Sequence, residues 1–193
     1  MSSNKIIEKA IYSFSINGYD GTSISNIAEL VGIKKSTIYS HFKSKDEIFE
    51  KATEISFKAE KDFAVNYFSK KEEPIPILEV LEGFLISLKD RFINNEDFTI
   101  NFVYKIGYRF VERYNDFIKK YCDNYYFTVE NLIIEYLIRE GVEKDLAKEI
   151  AMTYTALLDG LMVSLMYCGE DRYEERKEAI WKFFSESFLK NCK

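Results

Sequence analysis

Lys35, Tyr39 and Lys45 are the side chains whose types and spacing carry the plainest chemistry in this chain of 193 residues. Lys35 and Tyr39 stand four positions apart, so a helix there sets them on one side, with Ser36, Thr37 and Ser40 beside them. Ammonium groups and a phenol among short hydroxyls suit an extended polyanion: cations meet phosphates, and hydroxyls hydrogen-bond to phosphates or base edges. Catalysis has no comparable support. There is no nucleophile–base pair, no glycine-rich phosphate loop and no metal constellation, so neither an enzyme nor a cofactor is expected. His41, the one histidine, excludes a His-rich metal site. Cys122, Cys168 and Cys192 have no CxxC spacing and read as free thiols in a reducing cytoplasm.

Positioning those side chains requires short helices and tight turns, and the apolar periodicity supplies them. Ile6, Ile7, Ala10, Ile11 and Phe14 give a first helix, stopped at Asn17-Gly18. Asp20-Gly21 makes a turn, and Thr22 or Ser23 caps a short second helix bearing Ile24, Ile27, Ala28 and Val31. Gly32 breaks that helix, and Ser36 to Phe42 form a third. Ile38 and Phe42 anchor the third helix, leaving Lys35, Ser36, Thr37, Tyr39 and Ser40 outward as a face suited to the major groove. Ser44 caps a long fourth helix, with Asp46 and Glu47 in its first turn where the dipole favours acids. The rest of the chain reads as further helices: Ile77 to Phe92, about Asp97 to Arg113, Asn115 to Tyr136 ending at Gly141, about Asp145 to Tyr167, and Tyr173 to Lys190. With no stretch of strand period, the expected class is all-α with about nine helices. A helix-turn-helix part over 1–47 is followed by a helical body over 48–193.

The segment Thr22 to Phe49, TSISNIAELVGIKKSTIYSHFKSKDEIF, preceded by GYDG, closely resembles the DNA-binding domain of the TetR/AcrR family of bacterial repressors. The resemblance covers roughly residues 5–52; beyond it only helix lengths and the pattern around TALLDGLMVSL are similar. It implies a homodimeric repressor that binds a pseudo-palindromic operator and is released by a small ligand. By position it implies that Tyr39 and Lys45 meet phosphates, that Thr22 touches the DNA backbone, and that Lys35, Ser36 and Thr37 face bases or adjacent phosphates. Ser40 departs from the aromatic residue often found before His41. Thr22 reads equally as an N-cap. Lys34 reads as a solvated turn charge or a phosphate contact, and His41 as structural or base-reading.

Net charge is −5 overall, which alone argues against nucleic acid. Residues 1–45 nevertheless carry +3, leaving −8 on the remainder. A basic end on an acidic body attracts a polyanion locally. That body is crowded with aromatic residues over 98–136. Tyrosines combine an apolar ring with a polar tip, the usual make-up of a small-molecule pocket, although a plain aromatic core reads as well. Phe63, Tyr67, Phe102, Tyr108, Tyr121, Tyr125 and Tyr154 are the expected ligand contacts, for an apolar or aromatic effector. The eighth and ninth helices have apolar stripes wider than a surface helix needs. Gly160 costs about 1 kcal/mol inside a helix relative to Ala, which a close helix approach would explain. A dimer interface through Leu157, Leu161, Trp181, Phe184 and Phe188 accounts for both. The start, MSSNKIIEKA, has no long apolar run, and the apolar stretch Ala156 to Cys168 is interrupted by Asp159, so a cytoplasmic protein with no membrane partner is expected. The competing reading is a helical ligand carrier or protein-interaction module that does not bind DNA.

Overall fold

The computed structural model describes residues 3–69, 75–94, 98–108 and 112–191, with the side chains of Leu189 and Asn191 left aside. Among these residues the chain forms nine α-helices and a single 3₁₀ turn, with no strand. The helices are α1 (Ser3–Gly21), α2 (Ile24–Val31), α3 (Lys35–Tyr39), α4 (Lys45–Ser69), α5 (Ile77–Asn94), α6 (Thr99–Tyr108), α7 (Asn115–Arg139), α8 (Lys144–Cys168) and α9 (Glu170–Asn191), and the 3₁₀ turn is Glu112–Tyr114. The all-α expectation therefore holds. Gly18 interrupts α1 with φ 72° and ψ 179°, a break only glycine accepts cheaply, yet helix resumes through the expected turn at Gly21. Ser23, not Thr22, caps α2, its hydroxyl accepting from the Asn26 amide while the Asn26 side chain accepts from the Ser23 N–H. The expected segment from Asp97 to Arg113 contains α6 and the 3₁₀ turn; Asp97 and residues 109–111 lie outside the described residues.

Packing divides the chain into two compact units. The first comprises residues 1–62 and 94–125, so it holds α1 to α3, the first part of α4, α6 and the start of α7. Its core is aromatic. Phe14 meets Phe49 edge to face at 5.2 Å, Phe102 lies 5.9 Å from Phe49, and Tyr114 lies 4.9 Å from Phe49. Around them Ile6, Ala10, Ile27, Ile38 and Ile48 are buried. These side chains hold α2 and α3, of eight and five residues, which are too short to be stable alone in water.

The second unit comprises residues 63–93 and 126–193. Phe84 is its aromatic centre, 6.0 Å from Phe63, 5.1 Å from Tyr67 and 5.2 Å from Phe68. The Tyr67 hydroxyl donates to the Val80 carbonyl at 3.0 Å, and a Cβ at Gly83 would stand 2.5 Å from that oxygen, so this approach requires glycine. Two further tyrosines close the unit through backbone carbonyls of α5: Tyr154 donates to Leu81 and Tyr173 to Leu85. Helix α8 is long and apolar enough by composition to cross a membrane, contrary to the expectation from Asp159. More than half of its most apolar window is buried in the protein, as in the core helix of a water-soluble fold.

Candidate nucleic-acid interface

The turn between α2 and α3 is set by Gly32, whose φ of 78° and ψ of 36° place it in the left-handed region. The amide of Ile33 returns to the Ala28 carbonyl at 2.9 Å, and buried Ala28 leaves no bulk at the crossing. Helix α3 is then fixed by Ile38, which is fully buried, and by Phe42 just beyond it. With that side spent on the core, Lys35, Ser36, Tyr39, Ser40 and His41 are exposed and Thr37 is half-buried. Tyr39 is 49% exposed, too open for a packing residue, and the Lys35 ammonium stands 6.0 Å from its ring. Lys34 is exposed at the N-cap of α3 and makes no side-chain cap there. The Ser40 hydroxyl turns back to the Thr37 carbonyl at 2.7 Å.

Thr22 and Lys45 occupy different surroundings from those expected. Thr22 is only 1% exposed, and its hydroxyl shares a 3.1 Å hydrogen bond with Ser13. Its side chain is therefore spent inside the fold and does not reach out to a phosphate. The half-buried Lys45 donates to the carbonyls of Tyr19 at 2.9 Å and Thr22 at 3.0 Å, with its ammonium 4.0 Å from the Tyr19 ring. The start of α4 is thereby tied to the end of α1. A second tie runs through Asp46, which accepts from the Tyr19 hydroxyl and, at 2.7 Å, from Arg113. The Tyr19 hydroxyl above all, then the Tyr114 hydroxyl and the Arg113 guanidinium, hold the Asp46 carboxyl below its ordinary value. Burial, helped by Asp46, pushes the Tyr19 phenol up, and burial pushes Tyr114 up further. Sequence reading missed this cluster because Asp46 and Arg113 are 67 positions apart. The GYDG motif did flag Tyr19 as part of the entry, though not as an anchor.

The expected ligand contacts do not gather into a single cavity within either unit. In the first, Phe102 is fully buried against Phe14 and Phe49, whereas Tyr108 is exposed. Tyr121 and Tyr125 line a cavity of about 120 Å³ with Phe57, and Tyr121 also borders one of about 460 Å³. In the second, Tyr154 is fully buried, its hydroxyl satisfied by Leu81, while Phe63 and Tyr67 remain half-buried beside Phe84. Phe102 and Tyr154 are thus core residues, because apolar partners and a backbone carbonyl already occupy them. The Arg91 guanidinium lies 4.0 Å from the Phe63 ring, a cation beside one of the expected ligand contacts.

The expected dimer contacts need a similar correction. Leu161 is fully buried within the single chain, and Leu157 and Phe184 are nearly so, because α8 and α9 pack on each other and consume them. Trp181 and Phe188 are half-buried. The outward stripe on α8 is Met152, Ala156, Gly160 and Tyr167, and that on α9 is Ile180 and Phe183, the last 78% exposed. Among the described residues a Cβ at Gly160 would meet nothing within 4 Å, so no close approach by them explains the glycine.

Residues 6–52, which hold α2, the Gly32 turn and α3, match the family described as bacterial regulatory proteins, tetR family. Residues 6–52 are thus similar to the N-terminal domain of that family. That is a family of regulatory proteins, not of enzymes. The chain is 34% identical over 90 residues to the biofilm operon icaADBC HTH-type negative transcriptional regulator IcaR of Staphylococcus epidermidis, covering 47% of this chain and 49% of that one. It thus spans about half the length of the curated relatives it matches. A TetR transcriptional regulator from Legionella pneumophila superposes with a TM-score of 0.72 at 15% identity over 97% of both chains. FadR from Bacillus subtilis, solved in complex with stearoyl-CoA, superposes with a TM-score of 0.67 at 16% identity over 95% of this chain and 97% of that one. The tetR-type fold therefore extends through the helical body, where sequence similarity is weak.

Proposed function

We propose that this chain is a tetR-family transcriptional repressor that binds a pseudo-palindromic operator as a homodimer and is released by a small molecule. Residues 1–47 read DNA, and residues 48–193 bind the effector and the second copy. The observation that carries the reading is the outer side of α3: Lys35, Ser36, Tyr39 and His41 exposed on a helix whose opposite side is locked by Ile38. This is a shape for insertion into the major groove, with Ser36 and Thr37 toward base edges and Lys34, Lys35 and Tyr39 toward phosphates. Lys45 acts mainly from behind, holding the end of α1, and supplies charge near the backbone. The identity to a negative regulator over about half of the chain supports repression rather than activation.

For the effector, the expected contacts that remain available fall into two separate groups, each a candidate by itself: Phe63 and Tyr67, half-buried in the second unit, and in the first unit the exposed Tyr108 with Tyr121 and Tyr125, the last two bordering a cavity. An apolar effector suits them, and the acyl chain bound by the similar FadR is of that kind. For the dimer, the stripes through Gly160 and Phe183 take over from the buried Leu161. The test is binding to duplex DNA at graded salt. The wild type should lose affinity with a log–log slope set by its phosphate contacts, and Lys35→Glu with Tyr39→Phe should weaken operator binding at least tenfold. Unchanged operator affinity in that double variant would refute the assignment of α3.

A further inference from the structure

We propose that the first unit contains its own small-molecule site, between α1, α4 and the start of α6, for an uncharged, flat and mostly apolar molecule with one hydrogen-bonding group. The cavity measures about 580 Å³, within the range of small-ligand pockets. Ile7 and Ile11 of α1 and Ile55 of α4 give it apolar walls. Ile55 is exposed for its type, as expected of a residue at a mouth rather than in a core. None of the residues expected to contact the effector lines it.

Two rings form the remaining wall. Tyr12 and Phe98 meet edge to face, with centroids 4.7 Å apart and planes at 86°. Phe98 has a φ of 55°, the one positive value at a non-glycine among the described residues. A bulky residue is kept in that region only when its surroundings over-determine it, and such positions cluster at ligand clamps. Here the Phe98 carbonyl accepts from the Phe102 amide at 2.9 Å, and the Tyr12 ring fixes the side chain.

The polar groups select the class of ligand. Glu8 and Lys9, both on the lining, pair with each other at 3.1 Å, so the rim presents no net charge to a ligand. The Tyr12 hydroxyl has no hydrogen-bond partner among the described residues and can serve one donor or acceptor on the ligand. Aromatic walls favour a flat body. One consequence rests on the DNA-binding reading above. The helix that carries Ile7, Ile11 and Tyr12 also carries Ser13 and Tyr19, which hold Thr22 and Lys45, so occupancy should alter duplex affinity.

The experiment is equilibrium dialysis of the full-length protein with 2-naphthol, an uncharged bicyclic probe with one hydroxyl. Saturable binding of one probe per chain is expected. Ile55→Trp, which fills the mouth, and Tyr12→Ala, which removes a wall, should each weaken it at least tenfold while the thermal midpoint stays within a few degrees of wild type. Tyr67→Ala, in the other unit, should leave it unchanged. Absence of saturable binding, binding that survives both variants, or loss in Tyr67→Ala overturns the site. Duplex titration with saturating 2-naphthol then separates the two readings. A duplex that binds with unaltered affinity overturns the coupling alone, and a protein that binds no duplex overturns the DNA reading while dialysis still decides the site.

Discussion

Two demands fall on the charge of Lys45. In the folded chain its ammonium is held by two carbonyls and the Tyr19 ring, whereas Lys35 keeps its ammonium outside, near the exposed face of Tyr39. Removing either cation should weaken duplex binding, but by different routes. Lys35→Ala should lower the salt slope by about one and leave thermal stability unchanged, because it severs one phosphate contact and nothing internal. Lys45→Ala should also destabilise the fold by about 1–2 kcal/mol, since two carbonyls and an aromatic face lose a charged donor. Parallel melting and salt-titration curves distinguish the two, and an unchanged midpoint in Lys45→Ala would show that its internal contacts carry no weight. Asp46 brings pH into the same corner. Its carboxyl lies below the ordinary value chiefly through the Tyr19 hydroxyl, with Tyr114 and Arg113 assisting. A carboxylate depressed on folding stabilises the fold above its unfolded pKa and loses that contribution as pH falls through the folded value. The wild-type midpoint should therefore drop as pH falls below about 4. Asp46→Asn should start lower at neutral pH and change less across that window, as melts from pH 7 to pH 3 would record. The Arg113 arm is exposed and should matter least, as surface ion pairs do.

At the level of elements, the helices of the recognition domain could be read from the sequence because their punctuation is local. Gly32 adopts the left-handed turn, Ser23 and Ser44 cap with their own side chains, and Ile38 lies on the buried face. The helical body could be read only as helices. Periodicity identifies which face of α8 is apolar but not which apolar residues its neighbour in the same chain takes up. Leu161 was therefore expected at an interface and proves to be core, and Tyr154 was expected at a ligand and proves to be satisfied by Leu81. The cavity beside Phe98 had no sequence signal beyond the aromatic run that begins at that residue, because its other walls come from α1 and α4. Gly160 gives the element-scale prediction. A Cβ there meets nothing within 4 Å among the described residues, and glycine costs a helix interior about 1 kcal/mol relative to a good helix former. Gly160→Leu should therefore keep the single chain folded with unchanged helix content. It should at the same time raise the dimer dissociation constant at least tenfold in sedimentation equilibrium, because the added side chain blocks the approach of the second copy. An unaltered dimer would remove α8 from the interface.

For the whole molecule, what matters is the reach of a recognition helix only five residues long. A single module of this kind covers roughly 600–1,000 Å² of protein surface, at the lower end for specific complexes, so the operator binding proposed above calls for two copies reading two half-sites. Linking two modules raises affinity by some 10²–10⁴ without any new contact, provided both engage together. Phe183 allows that requirement to be tested without disturbing the fold. It is 78% exposed on α9, so Phe183→Glu costs the single chain almost nothing and puts a charge into the proposed dimer surface, where it would be desolvated and unpaired. The variant should sediment as a folded monomer with wild-type helix content. Its affinity for a duplex carrying an inverted repeat should fall at least a hundredfold, and its salt slope should be about half that of the wild type, because one set of phosphate contacts is lost. Affinity for a duplex with a single half-site should stay the same, since α3 and its anchors are untouched. A Phe183→Glu monomer that still bound the inverted repeat with full affinity would show that one copy suffices, and the dimeric mechanism of recognition and release would have to be abandoned.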